Sequence, residues 1–195
     1  MFLKNNNIYI FFIFFIILFS RLATSEEKKI NDLISYLNLL NNLSVSFIQD
    51  DIESISEGKI SIGDKRVRID YETPSKILIV LSEKKGMYYN YDLDEDEFFN
   101  TKKTSAWFFY EIFKNPNFFL DSNLLFSNNN IIIQKKDLFE DQVYSLKLFF
   151  EDKPLVLRKI ELKYQDYSIN LSFFNYDYNR DFRENYFKLI NPNFF

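Results

Sequence analysis

Between Ser44 and Tyr71 apolar and polar residues alternate with a period of two. Val45 and Phe47 alternate with Ser44 and Ser46, Ile60 and Ile62 with Lys59 and Ser61, and Val67, Ile69 and Tyr71 with Arg66, Arg68 and Asp70. Successive side chains of an extended chain point to opposite faces, so the pattern predicts short strands with one apolar and one wet face. Residues 26–42 follow another period. There Ile30, Leu33, Ile34, Leu37 and Leu40 form one helical stripe, and Thr24 and Glu27 stand at the spacing of a capping box. Residues 76–81 are apolar on both faces, as expected of a strand covered on both sides. Residues 83–86 turn the chain into a strand over 87–92, and the acidic stretch 92–97 reads as a second turn leading to Phe98 and Phe99.

Helical spacing returns in Ala106, Trp107, Tyr110 and Phe113, with Thr104 or Ser105 as cap and Asn115-Pro116 as stop. The Asn- and Ser-rich stretch 121–130 reads as a mobile loop. Three strands are predicted over 142–150, 155–164 and 168–176, followed by a crossover at 178–184 and a short last strand around 186–190, closed by Pro192. No repeat or second domain is visible. A helix, a long meander, inserted short helices and a second meander predict an α+β fold: an incomplete, half-open antiparallel β-barrel with helices covering its open side. Such a curled sheet leaves an apolar hollow under its roof.

The first 25 residues stand outside this argument. Basic Lys4 precedes an apolar run from Ile8 to Phe19 and the small residues Ala23, Thr24 and Ser25, the three parts of a secretory signal. The run is short for a membrane span, which needs about 20 apolar residues. Cleavage after Ser25 is expected, giving an exported, soluble domain over 26–195; the competing reading is a retained anchor, favoured by the aromatic core of the run and by Arg21 close to the cleavage site. The chain has no cysteine and no histidine. An exported fold is then held by packing alone, and Ser-His or Cys-His nucleophile pairs and the usual zinc sites are excluded. Net charge is −4, and loss of Lys4 and Arg21 without any acid makes it −6. This gives no electrostatic footprint for nucleic acid. Aromatic residues make up 19% of the chain, partly a matter of biased composition, since Ala occurs only at positions 23 and 106.

A set of short motifs runs through the first meander. Phe47-Ile48-Gln49 is followed by Gly58 opening a strand, by Arg66-Val67-Arg68-Ile69-Asp70-Tyr71 with Pro74, and by Gly86, Tyr88-Tyr89 and Asp92. In order and type this resembles the periplasmic outer-membrane lipoprotein carrier family, LolA, over about residues 43–192. The segment 100–107 is similar to the family's entry into its lid helix, and Phe187 to Pro192 to its closing motif. The resemblance implies a LolA-like half-barrel that is a binding protein and no enzyme, needs no cofactor or metal, and acts as a monomer. Its implied partners are acylated lipoproteins, an inner-membrane ABC-type exporter and an outer-membrane receptor. The family's Arg-Pro, implied to hold the roof closed, is replaced by Gly63-Asp64. Lys65 or Arg66 would then be the latch.

The cavity wall expected on this reading is Phe47, Ile60, Ile62, Val67, Ile69, Tyr71, Met87, Tyr89, Tyr91, Leu146, Leu148, Ile160, Leu162, Ile169, Leu171 and Phe173. The lid is Leu33, Leu37, Leu40, Trp107, Tyr110 and Phe113. Taken singly, each of these is also an ordinary core residue. The acidic run Asp92, Asp94, Glu95, Asp96 and Glu97 lacks the glycine and spacing of a calcium loop and reads as a hairpin turn. Arg66, Arg68, Asp70 and Glu72 would pair across strands on the wet face, worth little if exposed. Rival readings are an envelope protein holding a free lipid or gripping a protein partner with the same half-barrel, and a carboxylate hydrolase.

Overall fold

A computed structural model describes residues 27–51, 54–127 and 129–194. The signal segment and Thr24 of the capping box lie outside the described residues. Helix α1 spans 27–39. It is followed by β1 (Leu43–Asp50), β2 (Ile55–Ile62), β3 (Val67–Thr73), β4 (Ile77–Leu81), β5 (Gly86–Asn90) and β6 (Glu95–Phe99). A 3-10 turn, Thr101–Lys103, leads into α2 (Ala106–Lys114), and a second, Pro116–Phe119, follows it. The chain then forms β7 (Asn123–Ser127), β8 (Asn130–Phe139), β9 (Gln142–Asp152), β10 (Leu155–Tyr164) and β11 (Tyr167–Asp177). No helix among the described residues is long and apolar enough to cross a membrane.

The strands make one open antiparallel sheet in the order β6-β5-β4-β3-β2-β1-β11-β10-β9-β8-β7. Two local meanders are joined by one seam, β1 against β11, with Ser46 opposite Phe174 and Phe47 opposite Phe173. The sheet curls around the two helices, forming an open partial barrel. Val45 and Phe47 of β1, Ile60 and Ile62 of β2, Val67 and Ile69 of β3, Leu146 and Leu148 of β9, Ile160 and Leu162 of β10 and Leu171 and Phe173 of β11 share one buried cluster with Leu33, Leu37 and Leu40 of the α1 segment and Phe108, Ile112 and Phe113 of α2. The period-two and helical stripes thus meet in one core.

Four local expectations differ from the structure. The stretch 121–130, expected as a loop, contains β7, and β8 is a strand where none is predicted; clusters of Asn and Ser mask the apolar run Ile131-Ile132-Ile133. The acidic residues Glu95, Asp96 and Glu97 lie in β6, not in the turn before it. That is a charged outer edge, which discourages further strand pairing. The last strand predicted around 186–190 is a series of turns. It belongs to a C-terminal strap, residues 178–194, that crosses the outer face of β2 to β5.

The strap explains why β4 is apolar on both sides. Ile79 and Leu81 face the helices, whereas Leu78 and Val80 join Met87 and Tyr89 in a second cluster packed by Leu189 of the strap. The face expected to be wet is therefore largely covered. Arg68 forks onto Asp70, Nε to Oδ2 at 2.8 Å and Nη2 to Oδ1 at 2.6 Å, and its Nη1 donates to the Tyr186 carbonyl at 2.8 Å. The Tyr186 ring lies over that guanidinium at 4.3 Å, and Asn193 Nδ2 donates to the Tyr89 hydroxyl at 2.8 Å.

Candidate functional site

The inner face of the sheet and the two helices over it form the candidate site. Of the residues expected to line it, Phe47, Ile60, Ile62, Val67, Ile69, Leu146, Leu148, Ile160, Leu162, Leu171 and Phe173 are buried there, with Tyr71 and Ile169 half-buried beside them. Met87, Tyr89 and Tyr91 are not on this face. In β5 the residue opposite the inward Ile79 is Tyr88, so Met87 and Tyr89 point outward under the strap, and Tyr91 is 40% exposed. The phase of β5 follows from the turn before it, which its own sequence does not reveal.

Three of the motif residues meet in one row. Phe47 stands opposite Gly58 and Gly58 opposite Tyr71, the Phe47 and Tyr71 rings touch edge to face at 5.2 Å, and the Tyr71 hydroxyl donates to Gln49 Oε1 at 2.8 Å. Burial pushes the Tyr71 hydroxyl pKa up to about 12, so it remains a donor. These contacts fasten β1, β2 and β3 to one another.

The lid residues divide. Leu33, Leu37, Leu40 and Phe113 are fully buried, while Trp107 and Tyr110 are half-buried at the margin. α2 buries Phe108, Phe109, Ile112 and Phe113 most deeply, a face not distinguishable in a helix that is apolar nearly all round. The Trp107 ring stacks on Phe139 at 4.8 Å and meets Phe118 edge-on at 5.2 Å. Phe108 lies 4.8 Å from the Tyr144 ring. These rings pack against one another beneath the roof, where the hollow is expected. Among the described residues, one gap beneath the roof, between Leu40, Leu43, Val45, Phe113, Leu157, Phe173 and Tyr176, is too narrow for a water molecule.

α1 is pinned through a break in the ladder. The paired residues of β10 and β11 end at Lys159 and Ser172, and beyond this the Leu157 N–H donates to the Tyr36 hydroxyl while its carbonyl accepts from the Tyr176 hydroxyl. At the other margin Lys29 Nζ donates to Asp152 Oδ1 at 2.7 Å, and this ion pair lowers the Asp152 pKa.

The latch residues expected from sequence do not touch the roof. Lys65 is exposed in the turn between β2 and β3, and Arg66 Nη1 donates to the Phe187 carbonyl of the strap at 2.6 Å. The tie runs the other way. Lys114, the last residue of α2, donates through Nζ to the Gly63 carbonyl at 2.6 Å and to Asn41 Oδ1 at 2.7 Å, while Asn41 Nδ2 caps the α1 end by donating to the Asn38 carbonyl. One ammonium joins both helices to the sheet. Burial lowers the Lys114 pKa, and Asp64 opposes that shift. From its sequence context Lys114 is only a lysine in a last helical turn, a place where cations are common for dipole reasons. Lys114→Met keeps the stem and removes the donors, at a cost of about 1 kcal/mol for a half-exposed charged hydrogen bond. The α2 amides should then exchange about fivefold faster in hydrogen–deuterium exchange, with the β9 and β10 amides unchanged.

Three buried side-chain polar atoms among the described residues lack a partner: Thr101 Oγ1, Ser122 Oγ and the Tyr144 hydroxyl. Thr101 and Ser122 bracket α2 and its 3-10 turns, and Tyr144 lies beneath them. Each such atom costs about 1–3 kcal/mol, so unpaired polarity is concentrated at the segment roofing the sheet. No cluster of three or more carboxylates suited to a metal occurs among the described residues.

No protein-family model matches the chain, and no curated protein matches it. Among solved structures it is similar to an uncharacterized conserved protein from Thermus thermophilus, with a TM-score of 0.51 at 10% identity over 82% of this chain and 91% of the other. The two share a fold.

Proposed function

We propose that this protein is a periplasmic carrier that shields the acyl chains of outer-membrane lipoproteins, taking them from an inner-membrane ABC-type exporter and passing them to an outer-membrane receptor, without catalysis or cofactor. The observation that carries this reading is the lid. A continuous apolar inner face is roofed by a segment that holds or covers the unpaired buried polar atoms and is tied down at its end by Lys114.

Burial of a hydrocarbon chain contributes roughly 0.8 kcal/mol per methylene, about 12 kcal/mol for a 16-carbon chain. Three chains fully buried would exceed the roughly 18–21 kcal/mol at which affinity saturates, and release would stop. A roof that fills its own cavity solves this, because a ligand must displace Phe108, Phe113 and the α1 leucines from good packing, and that cost offsets part of the gain. The filled interior is the unloaded state on this account.

Trp107 reports the transition. Its stacking on Phe139 is lost when α2 lifts, so adding a di- or triacylated lipopeptide to the purified protein should shift its emission, and the lipopeptide should co-elute. An unchanged spectrum with no lipopeptide retained rejects the acyl-binding reading. Lipoproteins accumulating at the inner membrane on depletion select lipoprotein cargo over a free lipid.

A further inference from the structure

The inner face of β8 to β10 changes character along its length. At the end formed by the hairpin between β8 and β9 it carries Asp137 opposite Tyr144, Tyr144 opposite Tyr164, and Lys135 opposite Leu146; deeper rows hold Ile133, Leu148 and Ile160, then Ile131 and Phe150. A polar rim therefore leads into an apolar interior.

Tyr144 is the unusual member of this rim. It is 1% exposed, and its hydroxyl has no hydrogen-bond partner. The rings around it belong mainly to the roof: Phe108 at 4.8 Å, Phe118 at 6.3 Å and Trp107 at 6.5 Å. Burial, reinforced by Asp137 and Glu111, raises the Tyr144 pKa well above the ordinary tyrosine range, so the hydroxyl keeps its proton and is available as a donor. Beside it the Lys135 ammonium lies over the Phe118 ring at 4.6 Å. An orphaned donor in so apolar a place costs free energy until an acceptor arrives.

Resting on the acyl-binding reading above, we infer that Tyr144 is a specificity-determining residue whose hydroxyl, uncovered as Phe118 and Trp107 lift, donates to an ester carbonyl at the head of the acyl chains. The geometry suits a diacylglyceryl group. Its carbonyls sit where the hydrocarbon begins, and on β9 the chains would run from Tyr144 past Leu146 and Leu148 toward Phe150. A site built to hydrogen-bond a ligand discriminates against an analogue lacking the acceptor, because the buried donor is then left unpaired. Hydrocarbon burial alone makes no such distinction.

The test compares a lipopeptide carrying two palmitoyl ester chains with the same peptide carrying two hexadecyl ether chains, titrated against the purified protein and its Tyr144→Phe variant. The wild-type protein should bind the ester about tenfold more tightly than the ether. Tyr144→Phe should bind both with the wild-type affinity for the ether, while its unloaded form melts about 2 °C or more higher because an unpaired hydroxyl has gone. Equal wild-type affinity for ester and ether overturns the assignment of Tyr144 and leaves acyl binding intact, as does a Tyr144→Phe variant that still prefers the ester or weakens both ligands alike. Failure of the wild-type protein to bind either ligand overturns the acyl-binding reading and this inference together.

Discussion

Phe108→Ala should open the roof and tighten ligand binding. Phe108 is 0% exposed, and its ring lies within 4.8–5.7 Å of Trp107, Phe139, Tyr144 and Tyr164. Truncating such a ring costs about 3–5 kcal/mol when the site cannot collapse. Where that loss falls depends on whether α2 is a lid or a fixed part of the interior. As a lid, α2 undocks locally: amides 106–114 lose most of their exchange protection, those of β9 and β10 keep theirs, and a hydrophobic dye binds the bared face. Apparent affinity for an acylated lipopeptide should then rise at least tenfold, because less free energy is spent on opening. A residue of ordinary interior would show the reverse, a cooperative loss of stability across the whole sheet with no gain in affinity.

Gly58→Ala should destabilise the sheet itself by about 2–3 kcal/mol. A Cβ at this position would lie 2.2 Å from the main-chain oxygen of Asp70 and 2.8 Å from the Phe47 ring. The oxygen belongs to β3, whose ladder with β2 fixes it, so relief requires moving a strand. Urea denaturation should show a lower midpoint with an unchanged slope. Gly63→Ala is the control: the added methyl would meet the Phe187 ring of the strap at 2.7 Å, and a side chain on an irregular segment can turn aside.

Much of the sheet is legible in the sequence because its physics is local. Alternation in β1 to β3 and β9 to β11 reports which residues face the core, and the stripe Leu33, Leu37, Leu40 reports the underside of α1. The rest depends on partners distant in the chain. Met87 and Tyr89 alternate as an inner face would, but an irregular strap covers them from outside, and irregular backbone has no period to detect. β8 is hidden by polar flanks although Ile131 and Ile133 are buried. Arg68 and Asp70 look solvated and are instead half-buried under Tyr186. In the candidate site, the apolar lining is readable, but the latch is not. Lys114 bonds a main-chain carbonyl, a group every residue carries, so no pairing of residue types announces it. The Tyr144 orphan is equally silent, since a missing partner is a property of the folded whole.

The seam between β1 and β11 joins the first strand to the last, with Ser46 opposite Phe174. Each meander can zip on its own, but the two remain separate flaps until β11 has been made, since pairings so remote along the chain form late. That ordering withholds the seam between the two halves of the open sheet until both flaps have formed. Shortening the protein by its last strand and strap would therefore remove the clasp from both flaps at once.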